Sequence, residues 1–237
     1  DPGEIQIPMN EEWVVVQNTG MYIEIAKHPQ DGKWLPEKIF GNLRTGSNFN
    51  DADPNKSKTI GTNGYGVKLV NIFSKAFQVT CTDPGRKLIY EQTWASNMRQ
   101  CSPPKIEPYE GPAFTRVSYQ LDFSLFDATK FEPVAFGLYM ASAAQLACAK
   151  KVQVRFNNHV FSFKDLTDYA KLFFPINKKN TIVHSFSSPE GDYDICVCDT
   201  PDKSITQSFV NGIVTPNDGA HVDAIYHIVV DHLLKSL

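Results

Sequence analysis

The stretch Gly61-Thr62-Asn63-Gly64-Tyr65-Gly66-Val67-Lys68-Leu69-Val70-Asn71-Ile72-Phe73 places a glycine-rich turn directly before an apolar, helix-like pattern. Glycine permits positive φ angles and lets a ligand approach the backbone closely. A turn of this kind that opens a helix directs backbone N–H groups toward an anion, most favourably a phosphate. Lys68 lies in the first helical turn and adds a full positive charge. The stretch therefore predicts a phosphate-binding turn, and a turn that only caps a core helix is the alternative.

The spacing of these glycines separates the stretch from two common phosphate motifs. Its G-x-x-G-x-G order differs from the G-x-G-x-x-G of dinucleotide-binding folds. Gly61 and Gly66 have the outer spacing of a P-loop, but Val67 stands where that motif requires Lys. Spacing alone leaves the helix cap and the phosphate site equally open.

Length, charge and cysteine content limit the class of protein. A chain of 237 residues allows one large domain or two smaller ones. The net charge of −3 gives no overall electrostatic footprint for nucleic acid. Five cysteines, an odd number, favour a reducing compartment, and the Cys196/Cys198 pair is interpreted as apolar packing rather than as zinc ligands. No apolar run reaches the length of about 18 residues that a membrane span needs.

Periodic patterns predict a mixed α and β chain. Alternating apolar residues between turn residues indicate strands, and a 3.6-residue period indicates helices. Predicted strands cover 5–7, 13–16, 77–82, 87–93, 114–121, 152–156, 159–163, 181–186, 193–198 and 205–210, predicted helices cover 34–43, 134–150, 165–174 and 222–237, and predicted loops include 101–113 and 211–220. The sequence changes character near residue 177, where we place a domain boundary.

A long polar segment, residues 44–62, runs directly into the glycine turn. Polar loops of this length inside a compact domain are usually functional lids or disordered. This connection favours the phosphate hypothesis over the helix cap. Asn18, which precedes Gly20 at the end of a predicted strand, can offer a donor and an acceptor to the edge of a heterocycle, although asparagine also commonly stabilises turns.

Four stretches together resemble one family. They are Ile39–Asn48, similar to I-F-G-x-L-x-x-S-S-N; Gly61–Ser74, similar to G-x-N-G-Y-G-A-K-L-x-N-I-F-S; Gln92–Met98, similar to Q-T-W-x-x-N-M; and Ser208–Thr215 with 219–222, similar to S-F-V-N-S-I-A-T and G-x-H-V. In this order they resemble the ATPase region of eukaryotic-type type II DNA topoisomerases, in the gyrase/chaperone/histidine-kinase/MutL superfamily. The second and fourth stretches are long enough to be highly specific.

The resemblance implies a fold and a set of site residues. The implied class is α+β: a two-layer α/β sandwich with a mixed, mainly antiparallel sheet over residues 1–176, lacking its N-terminal helix, and the start of an α/β transducer domain over 177–237. Asn18 would contact adenine, Gly20 would leave room for the base, and Ser47 and Asn48 would meet the ribose or phosphates. The triphosphate would be held by Asn63, Gly64, Tyr65, Gly66 and Lys68.

The chain departs from the family pattern in three respects. Tyr22 stands at the last glycine of the superfamily's adenine motif, and Gly46 replaces the first serine of S-S-N. The family's general base is a Glu on a helix, with a Mg²⁺-binding Asn one turn on, and no helical E-x-x-x-N occurs here. Glu11 and Glu12 lie in a predicted turn, so we assign no catalytic base. The sequence starts at Asp1 without an initiator Met, which suggests a fragment, and we expect weak or absent ATP hydrolysis from these residues alone.

The resemblance also implies cofactors, partners and location. ATP and Mg²⁺ would be the cofactors, and ATP would close the lid and join two modules into a homodimer that gates double-stranded DNA. The location would be nuclear, or a viral factory or virion for a viral protein, with no membrane partner. A MutL-like or chaperone-like switch ATPase and a non-hydrolysing nucleotide-binding domain are the alternatives.

Overall fold

The computed structural model describes residues 3–42, 64–173, 183–189, 193–199, 204–215 and 219–235. These residues group into two compact units. The first comprises residues 1–147 and 152–162, and the second comprises residues 148–151 and 163–237. The domain boundary near residue 177 rests on sequence character and stays a prediction.

The first unit is built on one large sheet. Its order is β5-β4-β3-β7-β2-β1-β8-β9, with β6 paired to β4, which gives nine strands among the described residues. The strands β1 and β8 run parallel, and the other pairs are antiparallel. The strands are β1 (Glu4–Ile7), β2 (Trp13–Thr19), β3 (Ser74–Asp83), β4 (Leu88–Ala95), β5 (Gln100–Cys101), β6 (Lys105–Pro108), β7 (Phe114–Leu121), β8 (Gln153–Phe156) and β9 (His159–Phe161). The predicted mixed, mainly antiparallel sheet is confirmed.

Three helices accompany this sheet. They are α1 (Leu35–Gly41), α2 (Gly66–Ile72) and α3 (Pro133–Lys150), whose last residues reach the second unit. The first begins at Trp34 with a proline in its first turn, where the missing N–H costs nothing. The third is apolar on nearly every side: Ala143 and Ala147 are fully buried, whereas Val134 and Leu138 are 70% and 64% exposed.

Strand register places the helices on one face of the sheet. Val14, Tyr119, Phe77 and Trp94 stand opposite one another across β2, β7, β3 and β4, so their side chains point to the same side. All four are buried. The Tyr119 hydroxyl is hydrogen-bonded to that of Tyr139 in α3.

The first helix packs on this same face. A Cβ added to Gly41 of α1 would lie 2.8 Å from a Trp94 ring carbon, so only glycine fits there without displacement. We call this side of the sheet the helix face. One layer of helices on one sheet is the predicted two-layer α/β sandwich.

Among the described residues, the second unit contains two helices and two hairpins. They are α4 (Leu166–Ala170), β10 (Val183–Ser187), β11 (Asp194–Cys198), β12 (Phe209–Val210), β13 (Ile213–Val214) and α5 (Ala220–Lys235). The pairs β10–β11 and β12–β13 are antiparallel hairpins. Asp165 caps the start of α4 by accepting a hydrogen bond from the Asp168 N–H.

Two expected loops contain strands instead. The loop predicted for 211–220 includes β13, because Asn211 and Gly212 have φ angles of 55° and 86° and form the tight turn of a hairpin. The strand predicted for 205–210 is correspondingly short. The proline-rich loop predicted for 101–113 contains β6, which pairs with β4 at the sheet edge where proline is tolerated. Within the described ranges, every helix is too short or too polar to cross a bilayer.

Candidate functional site

Helix α2 turns its polar side inward. Lys68 is 3% exposed and Asn71 is fully buried, whereas Leu69 and Phe73 are 48% and 39% exposed. The apolar pattern of this stretch therefore does not mark the buried side of the helix. A helix that buries a lysine and an amide is unsuited to serve only as core packing.

Lys68 is a buried cation. Burial lowers the pKa of its ammonium group, because the charged form loses its hydration. Within the described ranges, no carboxylate lies within ion-pair distance of it. A buried charge of this kind is stabilised by a bound anion, such as a phosphate group held in the predicted site.

The turn before α2 retains the geometry that glycine allows. Gly64 has a φ of 63°, in the left-handed region that other residues adopt only at a cost. Gly66 is the first residue of α2, and a Cβ added there meets no atom within 4 Å. Tyr65 precedes it as the N-cap residue and makes no side-chain capping bond. The space beside Gly66 is therefore open to a ligand.

Asn18 faces the same layer as α1. It lies four residues beyond Val14 in β2, and strand residues an even number apart share a face. Its partners in register are Ile5 and Thr115, and Thr115 is buried. The strand β7, which carries Thr115, also packs against α2. Asn18, the residue predicted to bind adenine, thus lies on the helix face near the C-terminal end of β2, whereas Val14 lies near the N-terminal end.

The chain leaves β2 through Gly20 and is then fixed by Asp83. Gly20 has a φ of 97° and donates its N–H to the Ala113 carbonyl at 3.4 Å. Asp83 is fully buried and accepts hydrogen bonds from the Ile25 N–H at 3.0 Å and from Arg86. Burial alone would raise the pKa of this carboxyl, but these hydrogen bonds and the Arg86 charge outweigh it, and the net pKa is lowered. The segment beside Asn18 is therefore anchored to the β3–β4 hairpin.

The structure describes part of the predicted site, in two separate segments. Gly64, Tyr65, Gly66 and Lys68 form one continuous element, and Asn18 and Gly20 stand at the end of β2. Ser47, Asn48 and Asn63 lie outside the described residues. Sequence reasoning missed two buried polar residues, Thr115 and Asn71. The Asn71 position stood within the quoted glycine stretch, and its polarity at helical spacing from Lys68 was the available signal.

The described residues do not by themselves fit a metal ion. Within them, no group of three or more His, Cys, Asp or Glu side chains is placed to bind a metal. Glu11, one of the turn carboxylates, is instead paired with Lys130 at 2.8 Å.

No protein-family model matches the sequence. The sequence is 31% identical over 96% of its length to DNA topoisomerase 2 of Candida glabrata, and 33% identical over 99% to that of Drosophila melanogaster. The chain spans 17% and 16% of these two relatives.

Solved structures agree with the sequence matches. The ATPase region of Saccharomyces cerevisiae topoisomerase II superposes with a TM-score of 0.86 at 27% identity, over 98% of this chain and 61% of that one. The ATPase and transducer domains of Balamuthia mandrillaris topoisomerase II give 0.87 at 28% identity, over 100% and 60%.

The chain is a two-layer α/β sandwich that carries a buried lysine behind a glycine turn, and its fold is that of the topoisomerase II ATPase regions. Over nearly its whole length the chain is homologous to the type II DNA topoisomerases, in their ATPase region.

Proposed function

We propose that the chain binds ATP and is the nucleotide-binding module of a type II DNA topoisomerase. The observation that carries this proposal is the buried Lys68 ammonium group, which has no carboxylate partner in the described ranges. It stands one helical turn after a glycine turn that is open to a ligand. The homology to topoisomerase II ATPase regions supports ATP as the anion.

Each described residue has a defined task in this proposal. Asn18 presents its amide to the purine edge, since an amide can donate and accept at once. Gly20 leaves room for the base. The Gly64–Gly66 backbone surrounds the phosphates, and the Lys68 charge neutralises them. Because this charge is already desolvated, it interacts with phosphate more strongly than an exposed lysine would.

The finer steps of catalysis belong to this proposal as well. Bound Mg²⁺ would supply charge neutralisation of the phosphates. We assign no base that activates water, and we expect weak or absent hydrolysis from residues 1–237. A turnover rate equal to that of an intact topoisomerase, measured with purified chain, would contradict this expectation.

Partners and location follow from the resemblance. ATP-dependent pairing of two modules would gate passage of double-stranded DNA through the complete enzyme, and Ser47, Asn48 and Asn63 would complete the nucleotide site. A nuclear or viral location stays a prediction.

The test compares two glycine-to-alanine variants by calorimetric titration with the β,γ-imido analogue of ATP. At both Gly66 and Gly137, an added Cβ meets no atom within 4 Å, so neither change disturbs the fold. We expect Gly66→Ala to bind about tenfold more weakly, because its Cβ meets the phosphates, a loss of about 1.4 kcal/mol. Gly137→Ala, in the exposed part of α3, retains full affinity.

Two results would overturn the proposal. The first is wild-type chain that binds no analogue at millimolar concentration. The second is equal affinity in the Gly66→Ala and Gly137→Ala variants, which would remove the glycine turn from the site.

A further inference from the structure

Asn71 joins the two helices nearest the glycine turn. Its Nδ2 donates a hydrogen bond to the Phe40 carbonyl of α1 at 3.2 Å. Phe40 lies in the last turn of α1, where helix carbonyls lack partners within their own helix. Asn71 therefore supplies from α2 a bond that α1 cannot make for itself.

The other amide atom of Asn71 is left unsatisfied. Asn71 is fully buried, and its Oδ1 has no hydrogen-bond partner among the described residues. Such an atom destabilises the folded state, because it has given up its bond to water. An apolar side chain of the same size would avoid this cost but would forgo the bond to the Phe40 carbonyl, so the two effects on folding offset each other.

Helix α2 depends on outside support for its position. It has seven residues and no side-chain N-cap, and helices of this length are not stable by themselves. At its other end, the Ser74 hydroxyl bonds to the Val70 carbonyl at 2.6 Å. Lys68 and Asn71 are three residues apart and lie on the same buried side. The hydrogen bond from Asn71 to the Phe40 carbonyl thus holds α2 against α1 beside Lys68, and we call this bond the anchor.

We propose that Asn71 is a positioning residue, which holds the Lys68 ammonium group at the phosphate site by anchoring α2 to the Phe40 carbonyl. This inference rests on the proposed function, since it assumes that Lys68 meets the phosphates of a nucleotide. It predicts an effect on phosphate recognition that exceeds any effect on the base or on folding.

The experiment measures two ligands with the Asn71→Leu variant of the full chain. Leucine keeps the volume and removes both the anchor and the unsatisfied oxygen. Titrations with the β,γ-imido analogue of ATP and with adenosine separate phosphate contacts from base contacts. The matched control is Leu69→Ala, an exposed change on the same helix.

We expect about a tenfold loss of affinity for the ATP analogue, equal to about 1.4 kcal/mol. Adenosine affinity and the thermal midpoint remain those of wild type. The Leu69→Ala control binds both ligands normally. If Asn71→Leu does not fold, Asn71→Ser, which is too short to reach the Phe40 carbonyl, is measured in the same way.

The outcomes separate the inference from the proposed function. Equal losses for the two ligands would mean that Asn71 only supports the fold, and no loss for either would mean that the anchor is dispensable. Both results overturn the inference and leave ATP binding intact. Wild-type chain that binds neither ligand would overturn the proposed function, and the inference with it.

Discussion

Replacement of Lys68 by methionine should stabilise the unliganded protein and weaken nucleotide binding at the same time. Methionine keeps the length and the apolar stem of the side chain but removes the charge. Lys68 is 3% exposed and lacks a carboxylate partner in the described ranges. Replacing even a paired buried charge by apolar side chains of similar volume is often neutral or stabilising by about 1–4 kcal/mol, and the Lys68 charge has no such pair in the described ranges. For a chain of this size, each kcal/mol raises the thermal midpoint by about 2–4 °C.

The opposite effect is expected on binding. A hydrogen bond to a charged group contributes about 1.5–3 kcal/mol, so the ATP analogue should bind roughly tenfold to hundredfold more weakly to Lys68→Met. Thermal unfolding with and without the analogue measures both effects in one assay. The exposed Lys75→Met serves as control and should change neither quantity.

The stability gain should also depend on pH. Burial lowers the folded-state pKa of Lys68 below the ordinary value of about 10.4. Between these two values the unfolded chain binds more protons, so wild-type stability rises with pH there. The advantage of Lys68→Met is therefore complete below the folded pKa and is lost as the pH rises from the folded pKa to the ordinary value of about 10.4. If Lys68→Met lowered the thermal midpoint of the unliganded protein and left the affinity for the ATP analogue unchanged, Lys68 would not be a buried charge that binds phosphate.

Three further changes test other parts of the structure. Gly64→Ala should lower the free energy of unfolding by about 1–2 kcal/mol in urea titrations, because its φ of 63° is left-handed; a neutral result would contradict that backbone geometry. Gly41→Ala should cost about 1–3 kcal/mol, since its Cβ would lie 2.8 Å from Trp94, and unchanged tryptophan fluorescence would speak against this contact. Asp83→Asn should destabilise the protein at neutral pH. Because the pKa of Asp83 is lowered in the folded state, the wild-type protein is more stable than the variant above the ordinary aspartate pKa of about 3.9, and this difference in stability is lost as the pH falls through the folded-state pKa. A pH-independent difference in urea midpoint would contradict the Asp83 assignment.

Local sequence patterns predicted the strands and turns that depend mainly on residues close together in the chain. The strands predicted at 77–82 and 87–93 are β3 and β4, and they form a hairpin around the turn residues Asp83-Pro84-Gly85. Asn211-Gly212 is an equally strong hairpin signal, but the sequence interpretation placed a loop there and so missed β13. The strand β6 could not be foreseen, because its pairing with β4 overrides a proline-rich composition.

The glycine stretch predicted the helix α2 but not the side that this helix buries. Helices of globular proteins ordinarily pack their apolar side against the core. The structure instead buries Lys68 and Asn71 and exposes Leu69. Periodicity measures spacing, and it cannot tell which side a ligand site requires. The buried side of α2 is set by long-range contacts, including the hydrogen bond from Asn71 to Phe40, 31 residues away.

The parallel pairing of β1 with β8 has a consequence for synthesis of the protein. Glu4 and Gln153, which face each other in this pair, are separated by 149 residues. At typical elongation rates of about 5–20 residues per second, β1 leaves the ribosome roughly 7–30 s before its partner is made. During this interval β1 can pair with β2 on one side only, and its other edge stays open to neighbouring nascent chains. Completion of the sheet therefore has to await the synthesis of β8 and β9, and until then the open edge of β1 is a site where a chaperone can protect the nascent chain.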